Sequence, residues 1–581
     1  MENLPQHLRK YIVEQDYSKY TPIDHAVWRF ILRQLKKFLK VNAHECYLEG
    51  LEKTGITEDR IPSIAELSKN LEKFGWRALP VSGFIPPAAF MELQSLSVLP
   101  IASDMRSLEH LLYTPAPDIV HEAAGHAPIL IHPEFSNYLK KYAQVAKKAL
   151  ISKEDLELYE AIRILSDIKE NPHSNSEQIM EAEENLKFKS KSITHVSEAS
   201  LLSRMNWWTA EYGLIGSLDK PKIFGAGLLS SVGESKWCLS DAVKKIPLSL
   251  DCLNYSYDIT EPQPQLFVTP NFQTLTLVLE QMAETMAFKV GGVEGLSKAI
   301  HTEVINTVEI DGHLQIGGCL ESFKKDTLQQ KKDSVSFLKF KGPCQLAYID
   351  KELPGHNKEY HANGFSTPLG RIKGLDKNPQ DITDSEWATL GFQLGSYTKL
   401  DFESGFHLEG IYLGRTVLKN KTYILRFKEA SALYQNEILF QPEWGYYDVI
   451  LGEKITSVFS GPPDRFSYGE TTDFQALRVP QPKYTVEQLQ IQKLYEEVRF
   501  LRDNGQTGDI LKKALANMFN SIQNLSKEDW LLTLDMYELA HKRNLNMEIK
   551  SKFLEYLKTQ SEKFPIHKTS IEDGLQLITN S

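Results

Sequence analysis

Residues 117–130 read PDIVHEAAGHAPIL. They place His121 and His126 five positions apart, with Glu122 beside the first and Gly125 before the second. A zinc-hydrolase helix carries its two histidines at i and i+4. On a regular helix four residues turn by about 400° and bring both imidazoles to one face, whereas five turn by about 500° and leave them roughly 140° apart. Both rings reach one metal only if the helix ends or distorts between them. Gly125 can supply a break, and Pro128 stops continuation. The spacing disfavours the hydrolytic zinc helix. It predicts one histidine at a helix end and a second just past it.

Two histidines need a third ligand. Glu211 lies in SRMNWWTAEYGLIGS, an apolar and aromatic helix where an unpaired carboxylate is costly. Two histidines and a carboxylate make the facial triad of non-haem Fe(II) oxygenases, which leaves coordination positions open. Taken alone, each residue also has a structural reading. The histidines could cap a helix end, and Glu211 could pair with a buried arginine or lysine.

These side chains need a scaffold. The first 300 residues read as mostly helical. HAVWRFILRQLKKFLKV (25–41) places Val27, Ile31, Leu35 and Phe38 at helical spacing, and Ser63 is a candidate N-cap. Residues 150–195 are charged and look like a solvated helical hairpin. FQTLTLVLEQMAETMAFKVGG (272–292) reads as a helix closed by glycine. Near 300 the pattern changes. Asp311-Gly312 signals a hairpin, and alternating runs such as TYILRF and YYDVIL continue to about 470. The end of the chain is helical again, with Ser526 and Asp529 in capping-box spacing. The expected class is α+β and multidomain: a mostly helical catalytic domain over 1–300, a β-rich domain over 301–478 and a helical segment over 479–581.

With 581 residues the chain exceeds a single compact core. A net charge of −10 argues against a general nucleic-acid binder. No apolar run approaches the ~18 residues of a membrane helix. The start lacks a signal-peptide core, and the five cysteines are scattered without a CxxC. The expectation is therefore a cytoplasmic protein with no membrane or nucleic-acid partner.

The sequence resembles the pterin-dependent aromatic amino acid hydroxylases, the family that acts on phenylalanine, tyrosine and tryptophan. YTPAPDIVHEAAGHAPIL is similar to the family's iron signature, of the form PDxxHExxGHxP. WWTAEYGL resembles its third-ligand helix, FGAGLLSSVGE (224–234) another block, and FGWRALPVSGFIPPAAF (74–90) its pterin-contacting segment. YTPIDHAVW and HECY match early landmarks, so the resemblance covers about residues 11–300 in order.

That resemblance implies Fe(II) held by His121, His126 and Glu211. It implies tetrahydrobiopterin or another tetrahydropterin stacked on Phe90, near Gly83 and Ile85, with Glu122 as an acid facing it. Glu122 and Glu211 are the implied catalytic carboxylates. Arg106 would pair with the substrate carboxylate, and Thr114, Pro115, Gly227 and Ser230 would complete the amino acid pocket. Trp207 would wall its aromatic side. Trp207 and Val268 occupy positions that point to L-phenylalanine, converted to L-tyrosine with O₂. Tyrosine or tryptophan hydroxylation is the alternative by the same chemistry, and a zinc hydrolase or a non-catalytic scaffold stands further off. The charged segment at 150–195 departs from the family as an insertion, and Asn206 replaces a tyrosine common near the iron. The C-terminal faces must pack on something, on each other first or else in a homo-oligomer contact. His356, His361 and His407 lack motif spacing and read as ordinary residues.

Overall fold

The computed structural model describes residues 4–81, 85–111, 117–170, 174–258, 261–326, 334–435, 437–469, 484–523, 525 and 529–579. Among them no helix is long and apolar enough to cross a membrane. Helix and strand are mixed, as the α+β expectation has it.

The helix expected over 25–41 forms α1 (Pro22–Asn42). Thr21 and Asp24 close a reciprocal capping box, and Pro22 takes the first position, where its missing N–H costs nothing. His25 through Leu32 are buried without interruption. An amphipathic surface helix buries one stripe, so α1 must be covered on both sides. Ser63 caps the helix Ile64–Leu71 as expected. A parallel pair, β1 (Arg77–Val81) and β2 (Val98–Ala102), lies before the site region. The charged segment folds into two antiparallel-sequence helices, Lys153–Glu170 and Ser176–Lys191, the second capped by Asn175. Four short strands follow, β3 (Leu214–Gly216), β4 (Pro221–Ile223), β5 (Lys244–Pro247) and β6 (Gln265–Thr269), in the order β4-β3-β6-β5.

The run 272–292 is not one helix. It forms α2 (Phe272–Ala283), breaks, and resumes as Ala287–Val290. The physical cause is Glu198, whose buried carboxylate accepts the Ala287 N–H at 2.7 Å and starts a new turn. Gly291 has φ +54°, and a Cβ there would meet the Ile455 carbonyl at 2.6 Å. This glycine lets a strand of the next segment pass.

That segment is β-rich, as its alternation predicts. Positive φ at Asp311 and Gly312 turns β7 (Ile305–Ile310) into β8 (Leu314–Lys325). One sheet contains these two with β9 (Val335–Tyr348), β10 (Lys351–Glu352), β11 (Gly364–Pro368) and β17 (Ile455–Ser460). The other contains β12 (Tyr397–Asp401), β13 (Phe406–Leu418), β14 (Lys421–Tyr434), β15 (Glu437–Phe440) and β16 (Tyr447–Ile450). TYILRF lies in β14 and YYDVIL spans β16.

Five helices close the chain: α3 (Val486–Asp503), α4 (Gly508–Gln523), α5 (Trp530–Lys542), α6 (Met547–Lys563) and α7 (Pro565–Thr579). The cap of α5 is Asp529, which accepts the Leu532 N–H; Ser526 lies outside the described residues. These helices pack on one another and also on α1, supplying its second cover. One continuous apolar core runs from Ala26 to Met286 and takes in Ile491 to Ile578, while the β-rich segment builds two further cores, one of which also takes in Leu150, Ala287, Leu296 and Ala299.

A buried ion cluster ties the two ends. The Arg29 guanidinium donates to both Glu538 oxygens, at 2.7 and 2.8 Å, and to Asp535 at 3.2 Å. Arg33 and Lys542 also pair with Glu538, and Arg502 with Asp535. Burial alone would raise the Glu538 carboxyl, but Arg29 and its neighbours hold it well below the usual carboxylate range. A carboxylate so lowered adds stability above its unfolded pKa and loses it as the pH falls through the acid range. We expect Glu538→Ala to destabilise the full chain by about 3–5 kcal/mol in chemical denaturation, because it strands Arg29 in the core. An unchanged denaturation midpoint would show that the pair carries no such weight.

Candidate active site

His121 and His126 reach one point, but not by the predicted route. Residues Val120–His126 form a π-helix, whose i→i+5 bonding brings the fifth residue back to the same face. The helix is widened rather than ended, so the geometric objection to a shared face falls. Gly125 is not a break. A Cβ on it would lie 2.6 Å from the Ala226 carbonyl, so its bare backbone admits the segment Ala226–Leu229. Pro128 opens a 3₁₀ turn, Pro128–Ile131. A second π turn, Trp207–Glu211, continues the helix Glu198–Asn206 and delivers Glu211. The Tyr138 hydroxyl, 2.7 Å from Thr209 Oγ1, holds that turn to the core.

The three side chains converge. His121 Nε2 and His126 Nε2 are 3.2 Å apart, and they lie 3.3 and 3.4 Å from Glu211 Oε2 and Oε1 respectively. Donor atoms at about 2.1 Å from a common ion sit roughly 3.0–3.4 Å from each other, so the residues fit a single divalent metal. Two imidazole nitrogens facing one carboxylate is an N₂O donor set suited to Fe(II) or Zn(II).

The surrounding residues fix these ligands. Ser230 donates its hydroxyl to the Ala226 carbonyl at 2.7 Å, so its oxygen accepts from His121 Nδ1–H at 3.1 Å. That arrangement leaves His121 Nε2 with its lone pair free for a metal. Asn206 donates to Glu211 Oε1 at 3.2 Å, so the residue standing where a tyrosine is common holds the ligand carboxylate. Tyr47, fully buried, donates to the Ala124 carbonyl within the π-helix.

Burial alone would depress His126, but the Glu211 carboxylate outweighs it and lifts the imidazole to about 9. The same contact holds Glu211 far below its ordinary range against the effect of burial. Burial pushes the Glu122 carboxyl up, with the two histidines opposing. Its Oε2 has no protein partner among the described residues, which suits a group that meets a ligand.

Arg106 is buried and gripped by Asp118, through Nε to Oδ2 and a terminal nitrogen to Oδ1, both at 2.7 Å. Its remaining terminal nitrogen lies 3.4 Å from the Ser230 carbonyl, on the His121 side. Asp118 also accepts the His121 backbone N–H. The sequence reading missed Asp118, although an aspartate three residues before His121 is an N-terminal helix signal. Trp207 stacks at 4.4 Å on both Tyr212 and Tyr257, and Tyr257 carried no signal in the sequence. Gly227 lies against Tyr212, whose ring a Cβ would meet at 2.8 Å. Ser230 is a partner of His121 here as well as a candidate pocket residue. Glu234 bonds Tyr212 and is not in the cluster.

Other candidates fall elsewhere. Ile85 and Phe90 lie in a small apolar cluster with Leu4, Leu8, Tyr11 and Val81. Val268 sits in β6, a central strand, buried in the main core and paired with Leu214 and Pro247. Gly83, Thr114 and Pro115 lie outside the described residues.

The model of the biopterin-dependent aromatic amino acid hydroxylase family matches residues 10–157 and 176–316. The gap between the two stretches falls inside the charged hairpin, and the match ends in the first β hairpin past residue 300. The chain is similar to the phenylalanine-4-hydroxylase of Mesorhizobium japonicum, 29% identical over 269 residues, covering 46% of this chain and 81% of that one. It is similar to that of Pseudomonas aeruginosa, 28% identical, covering 45% and 84%. A crystal structure of Chromobacterium violaceum phenylalanine hydroxylase with bound iron(III) and 7,8-dihydrobiopterin matches at 25% identity, over 49% of this chain and 94% of that one. The TM-score of that match is 0.37.

Two outcomes test the site. Ser230→Ala should weaken iron binding by roughly 10–100-fold, since His121 loses its orienting partner; equilibrium dialysis reads this directly, and unchanged affinity would remove Ser230 from that role. Uptake of a divalent ion near pH 7.5 should release about one proton, because His126 holds one below about 9. Calorimetry in buffers of different ionisation enthalpy counts it, and the affinity should fall as the pH is lowered.

Proposed function

Residues 10–157 and 176–316 belong to the biopterin-dependent aromatic amino acid hydroxylase family, and from that premise we propose that His121, His126 and Glu211 hold the iron of an enzyme that hydroxylates L-phenylalanine to L-tyrosine. The chain is an iron- and tetrahydropterin-dependent aromatic amino acid monooxygenase. The observation that carries the residue assignment is the convergence of two imidazole nitrogens and one carboxylate at 3.2–3.4 Å. The assignment to phenylalanine rests on relatives bearing that name, over 81% and 84% of their own length.

When bound, Fe(II) and the tetrahydropterin would supply the reductive activation of O₂, one atom of which enters the ring. The protein's part is positioning. His121, His126 and Glu211 would hold the metal, and three protein donors would leave coordination positions open. Ser230 and Asn206 keep His121 and Glu211 in their ligating orientation. Asp118 holds the Arg106 guanidinium beside the His121 segment, and Arg106 is assigned to pair with the substrate carboxylate. The three-ring stack of Tyr212, Trp207 and Tyr257 makes a rigid aromatic wall near Glu211. Glu122, with an unpaired oxygen and a raised carboxyl, faces a hydrogen-bond donor; the pterin ring is the donor we assign to it. Phe90 is assigned to stack on that ring, with Ile85 and Gly83 beside it. Thr114, Pro115, Gly227, Ser230 and Val268 are assigned to the amino acid pocket. The localisation we propose is cytoplasmic, and we assign residues 1–300 as the catalytic domain with the charged insertion at about 150–195 inside it, 301–478 as the β-rich domain and 479–581 as the helical C-terminal domain.

The decisive experiment incubates the full chain with Fe(II), a tetrahydropterin, O₂ and phenylalanine, tyrosine or tryptophan. Phenylalanine should show the highest kcat/KM. Val268, assigned to the pocket, offers no hydrogen bond to a tyrosine hydroxyl, and burying one unpaired costs about 1–3 kcal/mol. A higher kcat/KM for tyrosine or tryptophan would overturn the substrate. His121→Ala, His126→Ala and Glu211→Ala should each lose iron and turnover while keeping the native circular dichroism spectrum. Full iron occupancy in the Glu211 variant would mean that another residue is the third ligand.

A further inference from the structure

The β-rich segment brings together residues that its sequence does not mark. His356 and His361 lie in the connection between β10 and β11, and Asp448 is on β16 of the other sheet. His356 Nδ1 is 3.1 Å from His361 Nε2 and 4.0 Å from Asp448 Oδ2, and one donor atom from each residue lies within 4.8 Å of the other two. All three side chains are buried, at 3%, 7% and 4% exposure. Among the described residues this is the one cluster besides the His121 triad with metal-ligand composition and spacing.

We propose that His356, His361 and Asp448 form a second metal site, taking a divalent ion of the zinc or iron(II) class and joining the two sheets of the β-rich segment.

Four observations carry it. The backbone of the histidine turn is pinned. The His356 carbonyl accepts the Leu346 N–H at 3.0 Å and the His361 carbonyl accepts the Cys344 N–H at 3.1 Å, both from β9. The rings are stacked, with centroids 5.3 Å apart and planes 17° from parallel, so both present nitrogens toward the same space. Both imidazoles are enclosed, His361 with its ring 5.0 Å from that of Phe365, so bulk water does not fill the space between the donors. Finally, Asp448 is held from behind. Arg426 Nε donates to Oδ1 at 2.7 Å, and a terminal nitrogen lies 3.3 Å from Oδ2. An outer hydrogen-bond partner of this kind is how ligating carboxylates are oriented.

A hydrogen bond between the two imidazoles alone would account for the 3.1 Å contact. Asp448 is held by Arg426 and the Tyr360 hydroxyl, and its Oδ2 faces His356 at 4.0 Å, too far to bond it and wider than the roughly 3.0–3.4 Å between donors on one ion, so a bound ion would draw the carboxylate in. The triangle is wider on its carboxylate side than the His121 triad, and the Arg426 charge lowers the affinity for a cation, so the second site should be the weaker of the two. On the outer side Tyr360, 41% exposed, covers the Arg426 guanidinium at 5.1 Å. Three protein donors leave a fourth position for water.

The test uses the full chain, stripped with a chelator and titrated with Zn²⁺ and, in parallel, with Co²⁺, whose visible absorption reports low-coordinate nitrogen and oxygen ligation. The unaltered chain should take up two equivalents. His121→Ala/His126→Ala should keep one, with the Co²⁺ spectrum of the second site, and His356→Ala/His361→Gln should keep only the other. The first of these variants leaves the β-rich segment untouched, so it decides the matter even if the second fails to fold. A folded His121→Ala/His126→Ala chain that binds no metal, or a His356→Ala/His361→Gln chain that still binds two equivalents, would overturn the proposal.

Discussion

Two imidazoles five residues apart must face one carboxylate, and the middle of the molecule is built to allow it. A π turn is a poor way to bond a backbone, and it persists only where neighbours favour it. Here Asp118 takes the His121 N–H, Tyr47 takes up the Ala124 carbonyl, and Gly125 lets Ala226 approach to a distance no side chain would permit. The same Ala226 segment carries Ser230 back to His121. Relaxing the wide turn would therefore separate the histidines and also undo the contact that orients one of them. Chemistry and packing share one set of constraints.

What the sequence disclosed follows from how local each signal is. The ligands were legible because their residue types are rare in apolar helices and their order matched a known pattern. Thr21, Ser63 and Asp529 announced helix starts because capping is decided within four residues. Asp311-Gly312 announced a hairpin for the same reason. The π geometry was not legible, since a five-residue spacing reads equally as a break. Nor was the split after Ala283, because its cause, Glu198, stands far away in the chain. The partnership of His356 and His361 with Asp448 depends on two sheets meeting, which no window of sequence contains.

The same distinction explains the C-terminal helices. Their apolar faces were evident, but amphipathicity names no partner. The structure assigns them to α1, and the clue was in α1 itself: Ala26, Val27, Trp28, Phe30, Ile31 and Leu32 form too wide an apolar surface for one stripe, and Arg29 sits in its midst. An arginine inside such a surface signals a buried acid elsewhere. It cannot say where, and here the acid is 509 residues away.

That separation has a consequence for biosynthesis. Ribosomes extend a chain at about 5–20 residues per second, so α1 emerges roughly half a minute or more before the helix that neutralises its guanidinium. Through that interval the nascent protein carries an uncovered apolar surface with a cation at its centre, and only the last helices can finish it. Closing so long a loop is slow by topology, whereas the β hairpins between are fast and local. Assembly of this enzyme should therefore depend on chaperone protection late in translation, and a chain released early would be recognisable to quality control by that one open face of α1.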